Sequence, residues 1–522
     1  MKASPVFSFA QKLYEKEIEA DIRNDASDWY EFSVAPDGKL DVKAGTERAV
    51  LYAVYDALDG KKSGNEKPEF SIRGLNPCES LKRHTKEQII KLIDRMGRWR
   101  MNTIIIHSNY GFVNHKNTIV EECAKRGIEM THYTYSNLSF MRGIENTHFA
   151  KDENGKPLYD NLECETRLCV NDKDALNKYA EGVKKYLGEH SDYERMLFAT
   201  ADGRSLCLCP ACRNKNAIEQ WQPVFDVFFD TAYGKRKLEM ISYVQRFSVP
   251  ADTSRISKLD SVMFDTHIRY PRTPLGVFHE FMKEGYDVEV KMDSRAARPV
   301  NLYLLDRIKD WRKSFSGKLY IFENLMIQGI LGCPRPNTSV YLEDLKTFRK
   351  AGVDGVVYEC FEPGIKPFLK CFDKIAAAMW NVNAVYEKDN FEKAYLEDGA
   401  SDTDPWAVWP GCEKWDGVRS DYPMSELSVL YYKVIRSPDK DNIFNMMDYV
   451  MEHENREDFD WLYILFTGMK KAFNMGFISP ESEKEKQFLC MRKLWDFQEL
   501  RQNPRQETIN IIKSLMEKER SS

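Results

Sequence analysis

The chain has 522 residues, 43% of them apolar, with a net charge of −5 and both signs interspersed. That length exceeds one ordinary domain and supports a large core, while the absence of a basic cluster argues against a nucleic-acid partner. No window reaches the ~18 apolar residues of a membrane span. Residues Met1 to Ala10 lack an apolar segment of signal type. The twelve cysteines are not spaced like a disulfide scaffold, so reduced thiols in a cytoplasmic protein are expected.

In chain order, residues 1–68 read as a small α/β domain. Trp29–Val34 is strand-like, and Lys39–Lys43 alternates as an edge strand does. Thr46 then caps a helix over Glu47–Leu58, with Val50, Leu51, Val54, Ala57 and Leu58 on its apolar side and Gly60 as its stop. The polar run Lys61–Pro68 reads as a linker or surface turn. Thr85 with Gln88 is a capping box opening a helix over Lys86–Arg98.

From there, buried strands alternate with helices. The strands expected are Thr103–His107, Ile128–Tyr133, Arg167–Val170, Met196–Thr200, Leu238–Val244, Ser261–Asp265, Leu319–Glu323 and Gly355–Glu359. Helices fall over Thr118–Arg126, Asp172–Glu189, Trp221–Tyr233, Val300–Phe315, Tyr341–Ala351 and Ile365–Trp380. Eight such units over residues 69–385 predict a (β/α)8 TIM barrel rather than an open doubly wound sheet. Residues 386–522 carry almost no strand signal and read as an α-helical domain, with helices over Ser425–Arg436, Asp441–His453, Asp458–Met475, Ser482–Gln502 and Gln506–Glu519. That domain either packs on the barrel or makes a homodimer.

A barrel gathers its functional groups at the C-terminal ends of its strands. Asp202, Asp265, Glu323, Glu359 and Glu362 stand at such ends, and a carboxyl beside apolar walls there can act as a proton donor near neutrality. Glu323 is the expected acid, with Glu359 and Glu362 competing for the role. Alternation allows only one of Tyr358 and Glu359 to face inward. His107, His267 and Arg269 are expected to contact substrate, the alternative for a strand-end carboxylate or arginine being a structural ion pair. Trp406, in a Pro/Gly-rich loop with Trp409, is either a sugar platform or glue between domains. The high aromatic content, 12%, suits a carbohydrate cleft as well as a large core. Cys207, Cys209 and Cys212 follow the fourth strand at CxCxxC spacing. Cys169, at the end of the third, would supply a fourth thiolate for a structural zinc; packed reduced thiols are the alternative. No cofactor is expected for catalysis.

The segment Pro68–Leu75 with its Arg73-Gly74 pair, the helix over Ile89–Met96, and the strand from Asn102 to His107 resemble the opening of the barrel in β-N-acetylhexosaminidases. The helix over Gly45–Leu58 resembles the last helix of their small α/β domain, which α-glucuronidases share. Cys207–Cys212 and Pro334-Arg-Pro-Asn337 resemble bacterial barrel proteins related to endo-β-N-acetylglucosaminidases. The likeness spans residues 30–380. It implies a glycoside hydrolase acting by retention on a β-linked N-acetylhexosamine glycan. Asp202 would orient the substrate acetamido group, and Arg73 would hold ring hydroxyls unless it closes the barrel bottom as a salt bridge. Hexosaminidases follow that Asp with the general-acid Glu, whereas here Gly203 follows Asp202. Two rivals follow. One is an α-glucuronidase-like hydrolase using His267 and Arg269 on a uronic carboxylate, with Glu323 and Glu359 as its acid–base pair. The other is a non-catalytic carbohydrate-binding barrel.

Overall fold

The computed structural model describes residues 4–77, 85–107, 112–133, 136–163, 165–191, 193–201, 205–243, 247–267, 269, 274–276, 300–324, 338–360, 366–383, 439–452, 469, 472–473, 475–479 and 505–521. The chain divides into two compact units. The first comprises Met1–Asn324, Ser339–Cys360 and Asp373–Val385; the second comprises Leu325–Thr338, Phe361–Phe372 and Tyr386–Ser522.

The first unit opens with α1 (Pro5–Tyr14), β1 (Ile18–Ile22), β2 (Tyr30–Val34), β3 (Leu40–Ala44), α2 (Glu47–Leu58) and β4 (Ser63–Glu66). Ser4 and Thr46 cap the two helices with their hydroxyls. The sheet order is β1-β3-β2-β4. The segment read as an edge strand is therefore interior, because β1 pairs with it in parallel. The polar run read as a linker contributes the edge strand β4, whose short polar side chains suit an unpaired edge. α2 lays Val50, Leu51 and Val54 on this sheet, where they share a core with Tyr30, Phe32, Leu40 and Val42.

A closed parallel barrel of eight strands follows: β5 (Ile72–Asn76), β6 (Thr103–His107), β7 (Glu129–Tyr133), β8 (Arg195–Phe198), β9 (Lys237–Ser242), β10 (Ser261–Asp265), β11 (Lys318–Asn324) and β12 (Gly355–Glu359). Its helices include α3 (Lys86–Arg98), α4 (Phe112–Arg126), α5 (Ser136–Phe140), α6 (Lys173–Glu189), α7 (Ala217–Ala232), α8 (Val300–Ser314), α9 (Thr338–Lys350) and α10 (Lys366–Trp380). The capping box of α3 forms as its sequence predicts. Two strand assignments change. The first barrel strand is β5, whose Arg73-Gly74 pair hides the apolar signal. Arg167–Val170 lies outside the barrel and meets Phe149 through an isolated antiparallel bridge at Leu168.

The interior is a packed core. Ile72, Ile105, Tyr133, Leu197, Ile241, Met263, Tyr320, Phe322 and Val357 fill it. Because side chains alternate along a strand, these residues fix which neighbours face inward and which face the helices. Lower in the barrel Glu239 is buried but satisfied: it accepts from Arg195 at 2.8 Å, from the Ser261 hydroxyl at 2.5 Å and from the Tyr320 phenol at 3.2 Å.

In the second unit the described helices include α11 (Lys440–Glu452) and α12 (Arg505–Ser521), joined by an ion pair between Arg520 and Asp448. Of the other helices expected in this region, Ser425–Arg436 and Ser482–Gln502 lie outside the described residues, as does most of Asp458–Met475. Among the described residues no helix is long and apolar enough to cross a membrane.

Candidate active site at the C-terminal face of the barrel

Alternation decides between the carboxyls. On β12, Val357 belongs to the barrel core, so Glu359, two residues on, faces the barrel interior. Tyr358 takes the opposite face, edge-on to Tyr341 of α9. On β10, Met263 is a core residue, so Asp265 also faces inward. Glu359 is 6% exposed and Asp265 2% exposed. β10 and β12 flank β11, which sets their backbones roughly 10 Å apart by two strand spacings. The two carboxyls thus end strands on the same wall of the mouth.

Glu323 lies elsewhere. Tyr320 and Phe322 point into the barrel core, so Glu323 points out toward the helix layer. There it accepts from the Thr266 hydroxyl at 2.8 Å and from Arg269 at 3.0 Å. The other arm of the Arg269 guanidinium meets Asp344 of α9 at 2.6 Å, and all three groups are buried. Burial raises the Glu323 and Asp344 carboxyls above their ordinary range, against the pull of Arg269, and takes Asp344 to about 7. Glu323 is therefore not the expected acid of the mouth, and Arg269 is not a substrate contact. Together with Asp344 they form a buried ion-pair cluster that fastens the segment after β10 to α9. This also removes the arginine on which the uronic-acid reading relied.

That fastened segment carries His267. Its backbone N–H donates to Asp265 Oδ1 at 2.6 Å, and its Nδ1 lies 3.1 Å from the same oxygen. The His267 ring rests against Tyr243, with centroids 4.7 Å apart. Asp265, His267 and Tyr243 thus form one polar and aromatic corner beside β9 and β10.

Arg73 takes the place of the barrel-bottom salt bridge. It is fully buried, donates to Asp28 at 2.7 Å, to the Arg100 carbonyl at 2.8 Å and to the Phe70 carbonyl at 2.7 Å. Every partner lies before a barrel strand or in the small domain, so Arg73 is remote from the mouth. Asp28 also accepts from Arg48 and Asn102.

His107 closes β6 in register with Tyr133, and its side chain lies outside the described residues. Asp202, Glu362 and Trp406 also lie outside them. Two contributors escape the sequence reading. Asn76 ends β5 beside Glu359 and faces inward in phase with Ile72; recognising β5 as a strand would have exposed it. Asp344 lies mid-helix and carries no motif.

The four cysteines come together. Cys169, Cys207, Cys209 and Cys212 are all buried, and their sulfurs lie within 4.8 Å of one another. Cys169 does so from a loop rather than from the end of a barrel strand.

No protein-family model matches the chain, and no curated protein does. Among solved structures, a chitobiase from Flavobacterium johnsoniae is similar with a TM-score of 0.52 and 11% identity, over 98% of this chain and 94% of that one. An enzyme targeting pectin rhamnogalacturonan II has a TM-score of 0.49 at 12% identity, over 90% and 84%. A β-N-acetylhexosaminidase has a TM-score of 0.46 at 14% identity, over 73% and 89%. The likeness to the chitobiase is one of fold: a small sheet domain ahead of a closed parallel barrel.

Proposed function

We propose that this protein is a glycoside hydrolase that cleaves a β-linked N-acetylhexosamine glycan, with Glu359 as its proton donor. The observation that carries the reading is the pair of inward-facing carboxyls, Asp265 and Glu359, at the C-terminal strand ends of a closed barrel. Cleaving a glycosidic bond needs a group to protonate the leaving oxygen and another to stabilise or attack the anomeric carbon. Glu359, ending β12 and facing the barrel interior, is placed for the first task.

In this reading the substrate's own acetamido oxygen attacks the anomeric carbon as Glu359 gives its proton to the departing oxygen. Water then opens the cyclic intermediate, and Glu359 recovers a proton from it. Asp202 would orient the acetamido group, on the strength of the resemblance alone. Asp265, braced by His267, would bind a hydroxyl of the sugar. The general acid would thus come from the eighth strand, which accounts for Gly203 where hexosaminidases carry glutamate. The shared fold with a chitobiase is in keeping with this substrate class.

The test is hydrolysis of an aryl β-N-acetylglucosaminide beside the matching β-glucoside, with proton NMR of the first product. Turnover confined to the acetamido substrate, with the β-anomer formed first, is expected. Equal cleavage of the glucoside or first formation of the α-anomer would overturn acetamido assistance. Sugar binding without any hydrolysis would make the protein a binding barrel instead.

A further inference from the structure

The buried cysteine cluster stands apart from the proposed hydrolysis and has its own construction. Three loops meet there. Residues 148–151 run beside 167–169, with the Ala150 N–H on the Arg167 carbonyl at 2.7 Å and the Cys169 N–H on the His148 carbonyl at 3.0 Å. The segment after β8 joins them through the Leu208 N–H on the Lys151 carbonyl at 2.7 Å.

Two further observations set this cluster apart from ordinary packed thiols. The Lys151 N–H points at Cys207 Sγ, 3.4 Å away, so the backbone orients that sulfur. The buried amide of Gln220 on α7 also clamps the loop. It accepts from the Cys207 N–H at 2.9 Å and donates to the carbonyls of Cys207, Cys212 and Lys215 at 3.0, 3.1 and 3.2 Å. The loop is thereby held in shape by backbone contacts, leaving the sulfurs to converge.

Their spacing fits a metal. A tetrahedral ion with sulfur ligands at about 2.3 Å keeps those sulfurs roughly 3.8 Å apart. Cys169 Sγ lies 3.7 Å from Cys209 Sγ and 4.0 Å from Cys212 Sγ. Four thiolates in tetrahedral array are a soft donor set that selects zinc or iron, and a closed four-ligand site without an open position is structural.

We propose that Cys169, Cys207, Cys209 and Cys212 bind one structural zinc ion that ties the loops before and after the fourth barrel strand into a single unit. Binding displaces the thiol protons to solvent and involves no change of oxidation state. Such an ion would compensate for the lack of regular structure in these loops and hold the C-terminal rim of the barrel at β8.

The full chain, purified without chelator or metal-affinity steps, should carry about one zinc per chain by elemental analysis. Replacing zinc with cobalt(II) should give the sulfur-to-metal charge-transfer and visible bands of a tetrahedral tetrathiolate. Cys209→Ser should alter those bands and weaken zinc retention, and Cys123→Ser, on α4 away from the cluster, should leave both intact. Alkylation read by peptide mass spectrometry covers the case in which Cys209→Ser fails to fold. In the wild type the four cysteines should be protected together and become labelled together once a chelator removes the metal. Metal-free protein with four titratable thiols, two disulfides among these cysteines, or iron at this stoichiometry would each overturn the assignment.

Discussion

Glu323 and Glu359 end neighbouring strands and serve opposite faces of the sheet. Glu323 shares the Arg269 guanidinium with Asp344, so the trio has one excess negative charge when both carboxyls are ionised. Burial pushes both carboxyls up, Asp344 to about 7. An unfolded aspartate titrates near ~3.9. The folded protein therefore keeps a proton that the unfolded chain has already released. The stability this contributes is full below about 4 and falls as pH rises through about 7. In urea unfolding, wild type should lose stability between about pH 5 and about pH 8 relative to Asp344→Asn, whose amide cannot ionise. Equal pH slopes for the two proteins would contradict this account of the cluster. Arg73 and Asp28 form a second buried pair at the other end of the barrel. Removing one partner of such a pair strands a charge, so Asp28→Asn should cost roughly 3–5 kcal/mol in denaturant unfolding. A loss near zero would mean the guanidinium finds other acceptors.

At the scale of elements, β5 shows why a strand can escape notice. Ile72-Arg-Gly-Leu-Asn76 has a charged and a glycine residue where an apolar run is expected. Both have physical reasons. Arg73 is neutralised by Asp28 across the base, and Gly74 lets β6 come close, since a Cβ there would stand 2.2 Å from the Thr103 carbonyl oxygen. Gly74→Ala should accordingly destabilise by about 1–3 kcal/mol, seen as a lower Tm. An unchanged Tm would mean the two strands can part at little cost. Arg167–Val170 erred the other way: a short apolar stretch mimicked a barrel strand, while its hydrogen bonds go to residues 148–151. The helices were legible because their apolar stripes and caps are local; Thr85 and Gln88 close the capping box they announce. The pairing that makes Lys39–Lys43 interior depends on β1, about twenty residues earlier, whose alternating Ile18-Glu-Ala-Asp-Ile22 was not read as a strand.

For the whole molecule, the barrel was readable because buried strands alternating with helices leave few topologies, although one of the eight runs, Arg167–Val170, stood in for the missed β5. The site was less so. Sequence placed carboxyls at strand ends, but whether each faces the mouth depends on the phase set by neighbouring core residues such as Phe322 and Val357. That phase turns Glu323 away from the mouth and Glu359 toward it, which is why Glu359 is the proposed proton donor; ion pairs with Asp28, and with Glu323 and Asp344, hold Arg73 and Arg269. The measurement that bears most directly on this central claim compares Glu359→Gln with wild type on two aryl β-N-acetylglucosaminides. One has a leaving group that needs protonation and the other has one that does not. The account predicts a fall in kcat of about 10²–10⁴ for the first and little change for the second. An undiminished rate on the first, or the same pattern in Glu323→Gln, would contradict it.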